Sequence, residues 1–380
     1  MKKIKFNAKA ILPQLAQVVS VVSSKNAMPI LANVMFETQD NGDGTILVMT
    51  ASDSETWVEQ KVKVEGDTGV SICVDAQDIM KGLRNLDDVD VELEIDEESQ
   101  QLTCRYGKGY FSITYLDTNE FPRCVNSTDA SPIEYVIPST TLREHISSVG
   151  FAVNDDELRP VFNSIHFDFF DDGMVVVATD GQRLAKIKDY TIHGNGNELN
   201  SFNLPTKPAN ILLNILSCVE NEIVCKFDEK EIVFKNKDFK LSTRLIEGRY
   251  PNYDSVIPKE SKYESIIEKA TFVSSIKRVA PMGNNTSELM KLAFDVNTLV
   301  ISAENIDFCK KAEETIMCQY LGDKMAIGFK SSYLLQSLQN ISSESIEMRL
   351  IANNRACVLV PHTKKENVDY TYLLMPLLLD

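Results

Sequence analysis

The chain has 380 residues, 43% of them hydrophobic, and a formal net charge of −16 at pH 7. That length gives a prior of two to three domains with enough apolar residues for real cores. The charge excludes a protein whose whole outer surface grips phosphate, because such a surface repels DNA at long range.

No apolar run approaches the ~20 residues of a bilayer span. Met1-Lys2-Lys3 leads into polar Asn7 and Lys9 without the apolar core of a signal peptide, so a globular cytoplasmic protein is expected. The eight cysteines (Cys73, Cys104, Cys124, Cys218, Cys225, Cys309, Cys318 and Cys357) contain no CxxC pair. Several lie in apolar strand patterns, which points to free buried thiols and to no disulfide or zinc.

In chain order, Ile11, Leu15, Val18, Val19 and Val22 fall on one face of a first helix, and Asn41-Gly42-Asp43-Gly44 joins two strands after it. A second helix is expected from Asp75 to Leu86. Strands follow at Val89 to Ile95, Gln101 to Tyr106 and Tyr110 to Leu116, with polar turns at Asp96-Glu97-Glu98-Ser99 and Gly107-Lys108-Gly109. The same order then returns. Leu142, Ile146, Val149 and Val153 mark a helix, Asp171-Asp172-Gly173 a hairpin, and Leu212, Leu213 and Leu216 the buried stripe of a helix from about Pro205 to Val219. Strands are expected at Glu222 to Phe227, Ile232 to Lys235 and Phe239 to Leu245. A third round has Phe272, Ile276 and Val279, a polar link near Asn297, and Leu334, Leu335 and Leu338 on a helix from about Ser331 to Ile341. Two helices backing antiparallel strands make each round an α+β layer.

Landmarks keep that phase. Pro29-Ile30-Leu31-Ala32-Asn33-Val34-Met35-Phe36 is echoed by Pro160-Val161-Phe162-Asn163-Ser164-Ile165-His166-Phe167 and, weakly, by Leu292-Ala293-Phe294, so the three phenylalanines stand 131 and 127 residues apart. Ala51-Ser52-Asp53 recurs as Ala178-Thr179-Asp180 and faintly as Ser302-Ala303-Glu304, and Phe121-Pro122 recurs as Tyr250-Pro251. Periods this long exceed those of solenoids, about 20–50 residues, so three similar domains are expected, each around its own core. Their bounds are read as 1–125, 133–253 and 254–380.

Residues arranged for catalysis are scarce. His145, His166, His193 and His362 form no HExxH-like pair, and ordinary surface or edge positions are expected for them. Gly194-Asn195-Gly196 and Gly107-Lys108-Gly109 lack the third glycine and helix start of a nucleotide loop, so no cofactor is expected. The acidic stretches Asp87-Asp88, Asp96-Glu97-Glu98 and Asn154-Asp155-Asp156-Glu157 read as solvated loops. A hydrolase using Asp53, Glu55 or Asp180 is one alternative reading, and a monomeric peptide-binding scaffold is another.

The densest motif is Ala178-Thr179-Asp180-Gly181-Gln182-Arg183-Leu184-Ala185, which by itself can be a hairpin with its Asp-Gly turn. Together with Arg159-Pro160-Val161-Phe162-Asn163, Glu247-Gly248-Arg249-Tyr250-Pro251-Asn252-Tyr253 and the tail Tyr372 to Leu379, on three equal domains, it resembles the bacterial DNA polymerase III beta subunits, the sliding clamps. Lys25-Asn26-Ala27-Met28-Pro29-Ile30-Leu31 matches the family's first-domain pattern as well.

The resemblance implies a non-enzymatic processivity factor: a head-to-tail homodimeric ring of six similar domains that encircles duplex DNA, with helices lining the hole. Twelve inner helices at about 10 Å between axes enclose a clear hole of roughly 28 Å, wide enough for a duplex and water. A closed ring holds DNA by linkage and needs only weak, sequence-blind contacts, which reconciles the acidic charge with a DNA partner. Implied DNA-facing residues are Lys25, Lys81, Arg84, Arg143, Lys207, Lys277 and Arg278. Implied partners are the polymerase catalytic subunit, an ATP-dependent clamp loader and other clamp-binding replication and repair proteins. They would share one peptide pocket made by Phe162, Thr179, Gly181, Gln182, Arg183, Leu184, Pro251, Ser255, Val256, Leu373, Leu374, Met375, Pro376 and Leu377. Ser255 and Gln182 depart from the basic residue and the histidine common in the family, and Asp380 extends the apolar end. Ring closure is expected to pair the strand carrying Phe111 and Ile113 with the neighbour's segment around Met282.

Overall fold

The computed structural model describes residues 1–23, 28–123, 132–154, 156, 158–194, 196 and 200–379. The first repeat runs β1 (Lys2–Asn7), α1 (Ala8–Val19), β2 (Asn33–Asp40), β3 (Thr45–Ser52), β4 (Thr56–Gly66), β5 (Ser71–Asp75), α2 (Ala76–Arg84), β6 (Asp90–Asp96), β7 (Gln101–Tyr106) and β8 (Gly109–Leu116). The second runs β9 (Ile133–Pro138), α3 (Ser139–Gly150), β10 (Ser164–Phe170), β11 (Gly173–Thr179), β12 (Arg183–Asp189), β13 (Ser201–Pro205), α4 (Thr206–Leu216), β14 (Glu222–Phe227), β15 (Glu231–Lys235) and β16 (Phe239–Arg244). The third runs β17 (Tyr263–Glu268), α5 (Lys269–Val279), β18 (Leu289–Asp295), β19 (Thr298–Asn305), β20 (Lys310–Met317), β21 (Gln319–Tyr320), β22 (Met325–Lys330), α6 (Ser331–Gln339), β23 (Ser345–Leu350), β24 (Cys357–Pro361) and β25 (Val368–Leu374).

Each round therefore holds more strands than its sequence pattern displays. A strand precedes every first helix, and four strands separate the helices of the first two repeats. Strand β11, an arm of the hairpin expected at Asp171-Asp172-Gly173, has all seven residues buried and so lacks the alternation that marks a half-buried strand. The helices stop short of their expected ends. Val22 and Val153 lie beyond α1 and α3, and Val21 and Ala152 are the buried residues there. Polar side chains set where helices begin: Asn7 accepts from the Ala10 amide, Asp75 from those of Gln77 and Asp78, and Glu268 from those of Ala270 and Thr271.

Packing divides the chain into two compact units, Met1–Thr141 with Lys207–Leu245, and Leu142–Thr206 with Ile246–Asp380. These units do not follow the threefold sequence division, because strands of different repeats share ladders. In the first unit one antiparallel sheet has the order β1-β6-β7-β8-β5-β2-β3-β4-β16-β15-β14-β9, with β4 beside β16. In the second unit one sheet has the order β13-β10-β11-β12-β25-β24-β23-β17-β21, with β12 beside β25, and a smaller one has the order β20-β19-β18-β22. Apolar helix faces cover the sheets: Ile11, Leu15 and Val18 in the first unit, Phe272, Ile276, Leu334 and Leu338 in the second.

Among the described residues no helix is long and apolar enough to cross a membrane, and no cluster of His, Cys, Asp and Glu could hold a metal. Cys73, Cys104, Cys225, Cys318 and Cys357 are buried free thiols, whereas Cys218 and Cys309 are exposed, and Cys124 lies outside the described residues. Two histidines depart from the surface positions expected for them. His145, on α3, is buried with Nε2 2.9 Å from Asp189 of β12 while its Nδ1 has no hydrogen-bond partner among the described residues, and His166 is buried with Nδ1 2.8 Å from Asn203 across the β10–β13 ladder.

Candidate functional site

The β12–β25 ladder places Leu184 directly opposite Leu373, residues far apart in the chain. With Val175 and Val177 of β11, Tyr250, Tyr253 and Ala356 they form a buried apolar cluster, against which Val161 and Ile257 pack. Phe162 and Pro251 are half-buried nearby in sequence, and Val256 is 52% exposed. An apolar floor with exposed hydrophobic edges suits leucine or phenylalanine side chains of a short peptide.

The turn above it is built by Asp180. Its Oδ1 accepts from the amides of Gln182 at 2.8 Å and Arg183 at 2.9 Å, and its Oδ2 accepts from Arg183 Nε at 3.0 Å. Thr179 Oγ1 donates to the Arg183 carbonyl and accepts from the Gly181 amide. Gly181 has φ of +89° in open space, a backbone that a side chain would strain. The Gln182 carbonyl accepts from the Met375 amide at 2.8 Å, tying the turn to the tail.

Two residues assigned to the pocket face elsewhere. Leu374 is opposite Arg183 in the ladder, and alternation carries both away from the Leu184–Leu373 face. Arg183 is buried, its guanidinium 4.2 Å above the Tyr333 ring and 5.3 Å from that of Phe151, and it donates to Gln336. It is thus an anchor under the turn, not a free cation. Beyond Leu374 the ladder ends at Pro376; Met375 is 46% exposed, and the Leu377 amide donates to the Gly328 carbonyl at 2.8 Å.

Buried residues that motif reading missed support the cluster. His166 stacks on Tyr250 with ring centroids 4.5 Å apart, and Asn203 donates to the carbonyls of Ile246 and Gly248, holding the segment that delivers Tyr250. Tyr253 donates to Asp168 at 3.2 Å; burial first, then the Asp168 charge, push its phenol well above the usual range. Lys186 pairs with Asp254, and Ser255 turns its hydroxyl onto the Asn252 carbonyl. The valine run of β11 carries no alternation that would single out Val175 and Val177, and Asn203 and His166 carried no signal either.

The proposed DNA-facing cations differ in their freedom. Lys81 and Arg84 on α2, Arg143 on α3 and Lys277 on α5 are exposed and hold no ion pair among the described residues. Lys207 is instead paired with Asp53 and donates to the Val21 carbonyl, and Arg278 donates to Glu314 through Nε at 2.9 Å. Lys25 lies outside the described residues. Two of the three carboxylates of the hydrolase alternative are already committed: Asp53 caps its own turn through the Thr56 amide and holds Lys207, and Asp180 holds Arg183, while Glu55 is exposed.

Sheet edges at β8 and β20 have unpaired stretches among the described residues. Strand β8 pairs with β7 along its length but with β5 only at Tyr115 and Leu116, and β20 ends its sheet. Phe111 and Ile113 on β8 are half-buried, and Met282 is 39% exposed.

Models of three domains of the DNA polymerase III beta subunit match this chain: the N-terminal domain over residues 2–125, the central domain over 136–252 and the C-terminal domain over 254–378. A Synechocystis sp. beta sliding clamp is 26% identical over 382 residues, covering 95% of each chain. That of Bacillus subtilis is 28% identical over 342 residues, covering 87% of this chain and 88% of its own. Among solved structures, a Pseudomonas aeruginosa sliding clamp bound to griselimycin superposes with a TM-score of 0.90 at 24% identity, and the beta subunit of Thermotoga maritima with 0.89 at 24%, each over 100% of both chains.

Proposed function

Because the chain belongs to the DNA polymerase III beta subunit family, whose members are sliding clamps and non-catalytic processivity factors, we propose that two copies close into a ring around duplex DNA. Ring formation and partner binding are typical of that family. The domains are taken as 1–125, 133–253 and 254–380, in the cytoplasm, with an ATP-dependent loader opening the ring. The polymerase, and other replication and repair proteins in turn, dock a short peptide on the floor around Leu184 and Leu373.

The observation that carries the docking reading is the apolar cluster formed by Leu184, Leu373, Tyr250 and Tyr253 beneath the Asp180 turn. Lys81, Arg84, Arg143 and Lys277 supply the weak phosphate contacts that a topological tether needs. The open edges of β8 and β20 supply strand groups for closure in trans.

The test is retention on DNA. Loaded onto nicked circular duplex, the protein should co-elute with DNA and be released when the circle is linearised. Retention on linear DNA would overturn the ring, and sedimentation as a monomer at micromolar concentration would favour a peptide-binding scaffold.

A further inference from the structure

The wall of the peptide floor that carries Tyr250 and Tyr253 is delivered by a segment without regular structure: residues 246–252 belong to no helix or strand. Such a segment keeps its place through the groups that hold it. Asn203, buried on β13, does so with both ends: its side-chain amide donates to the carbonyls of Ile246 at 3.0 Å and Gly248 at 2.9 Å, and its backbone carbonyl accepts from the Ile246 amide at 3.0 Å.

Both amide protons of Asn203 are thereby used, and turning the amide over would set its oxygen against two carbonyls. Chemistry fixes its orientation. Oδ1 then lies 2.8 Å from His166 Nδ1, directly across the β10–β13 ladder, and an amide oxygen can only accept. His166 therefore carries a proton on Nδ1. The ring so held is parallel to that of Tyr250, with 5° between planes and 4.5 Å between centroids. Its Nε2 stands 3.8 Å from Asp168 Oδ2, the same atom that accepts from the Tyr253 hydroxyl at 3.2 Å. One imidazole thus meets Tyr250 directly and the hydrogen-bond partner of Tyr253, while neither His166 nor Asn203 belongs to the cluster that makes the floor.

We infer that His166, held in its Nδ1–H form by Asn203, is a positioning residue for peptide docking: it sets Tyr250 and Tyr253 against Leu184 and Leu373 without touching the peptide. The inference rests on reading the Leu184–Leu373 floor as the peptide site. A wall that must be ordered on binding costs affinity, so a floor whose wall is already set binds more tightly.

The test has a spectroscopic part and a binding part. Long-range proton–nitrogen correlation spectra of the histidine-labelled chain report which ring nitrogen holds a proton, and His166→Phe identifies the signal by removing it. A proton on Nδ1 is expected; a bare Nδ1 overturns the inference. A fluorescent decapeptide with a Leu-Phe pair is then titrated into the full chain, at a temperature where melts show each variant fully folded. His166→Ala should bind it about 3- to 10-fold more weakly, the worth of a lost hydrogen bond and ring stack. His166→Phe, the gentler change, keeps a ring on Tyr250 but gives Asn203 no donor, and should fall between the two. Asn203→Ala should weaken binding as His166→Ala does, with little added in the double variant, because both act through the Tyr250 segment. Parent affinity in His166→Ala or His166→Phe, with only the melting point lowered, overturns the inference, and so does full additivity in the double variant. Met375→Asp separates the two readings. Peptide binding that is lost with Met375→Asp but indifferent to His166 leaves the floor standing and removes the positioning role. Binding that Met375→Asp leaves unchanged, or none to the parent, removes the floor and this inference with it.

Discussion

His145 Nε2 lies 2.9 Å from the Asp189 carboxylate, with 1% and 2% of the two side chains exposed. Thr191 adds two more donors, its amide at 2.8 Å and its hydroxyl at 2.6 Å. Burial alone pushes the Asp189 carboxyl up, but the hydrogen bonds from His145 and Thr191 outweigh it and bring it down to about 2. A carboxyl depressed below its unfolded value of about 3.9 contributes stability that is complete above that pH and lost as pH falls through the folded value. Thermal melts should therefore fall more steeply from about pH 4 to about pH 2 in the parent than in Asp189→Asn. Near neutral pH the variant should be less stable by about 1–3 kcal/mol, since a neutral amide replaces the charge-assisted hydrogen bonds from His145 and Thr191. Parallel melting curves would exclude the pair as a source of acid sensitivity.

Arg183 is gripped by Asp180 and Gln336 and lies over the Tyr333 ring, a set of contacts that uses the guanidinium fork. Lysine keeps the charge but loses the fork and the stacking. Arg183→Lys should fold, lose about 1–2 kcal/mol of stability, and weaken a Leu- and Phe-bearing peptide roughly 5- to 30-fold by loosening the turn above the floor. Fluorescence anisotropy and a melt on the same sample decide it: an unchanged affinity with a lowered melting point confines Arg183 to stability.

The threefold plan was legible because turn chemistry is local: Asn-Gly, Asp-Gly and aromatic-Pro signals keep their spacing whatever packs around them. What stayed hidden was tertiary. Lys207 and Asp53 are 154 positions apart, and Arg278 and Glu314 are 36, so neither cation announces that a carboxylate already holds it. Likewise the Thr179 to Leu184 motif pointed to the turn beside the apolar cluster, but strand alternation turns Leu374 and Arg183 away from the Leu184–Leu373 face, and only the ladder register reveals that.

Those engaged cations set an order among the DNA contacts. Lys81→Ala, Arg84→Ala, Arg143→Ala and Lys277→Ala should each reduce the slope of log affinity against log salt by at most about one, the share of a single phosphate contact. Arg278→Ala should change that slope less and stability more, since Glu314 and Ser275 lose their partner. Binding to nicked circles over a salt series, beside thermal melts, distinguishes the two groups. A slope change for Arg278→Ala equal to that for Lys81→Ala would mean that DNA displaces Glu314.

The last relationship joins Gly82 and Phe111. A Cβ at Gly82 would stand 2.4 Å from the tip of the Phe111 ring, so α2 and the open strand β8 approach as closely as they do only because that carbon is absent. Alanine inside a helix is favoured over glycine by about 1 kcal/mol, so Gly82→Ala should stay folded while its methyl group drives the ring off the helix. If Phe111 helps to close the ring, Gly82→Ala should sediment with more monomer than the parent despite an unchanged or higher melting point. The double variant Gly82→Ala/Phe111→Ala should then match Phe111→Ala alone, because both changes act through one ring. Parent-like dimerisation of Phe111→Ala would remove that residue from the interface and leave the β8 backbone edge to carry it.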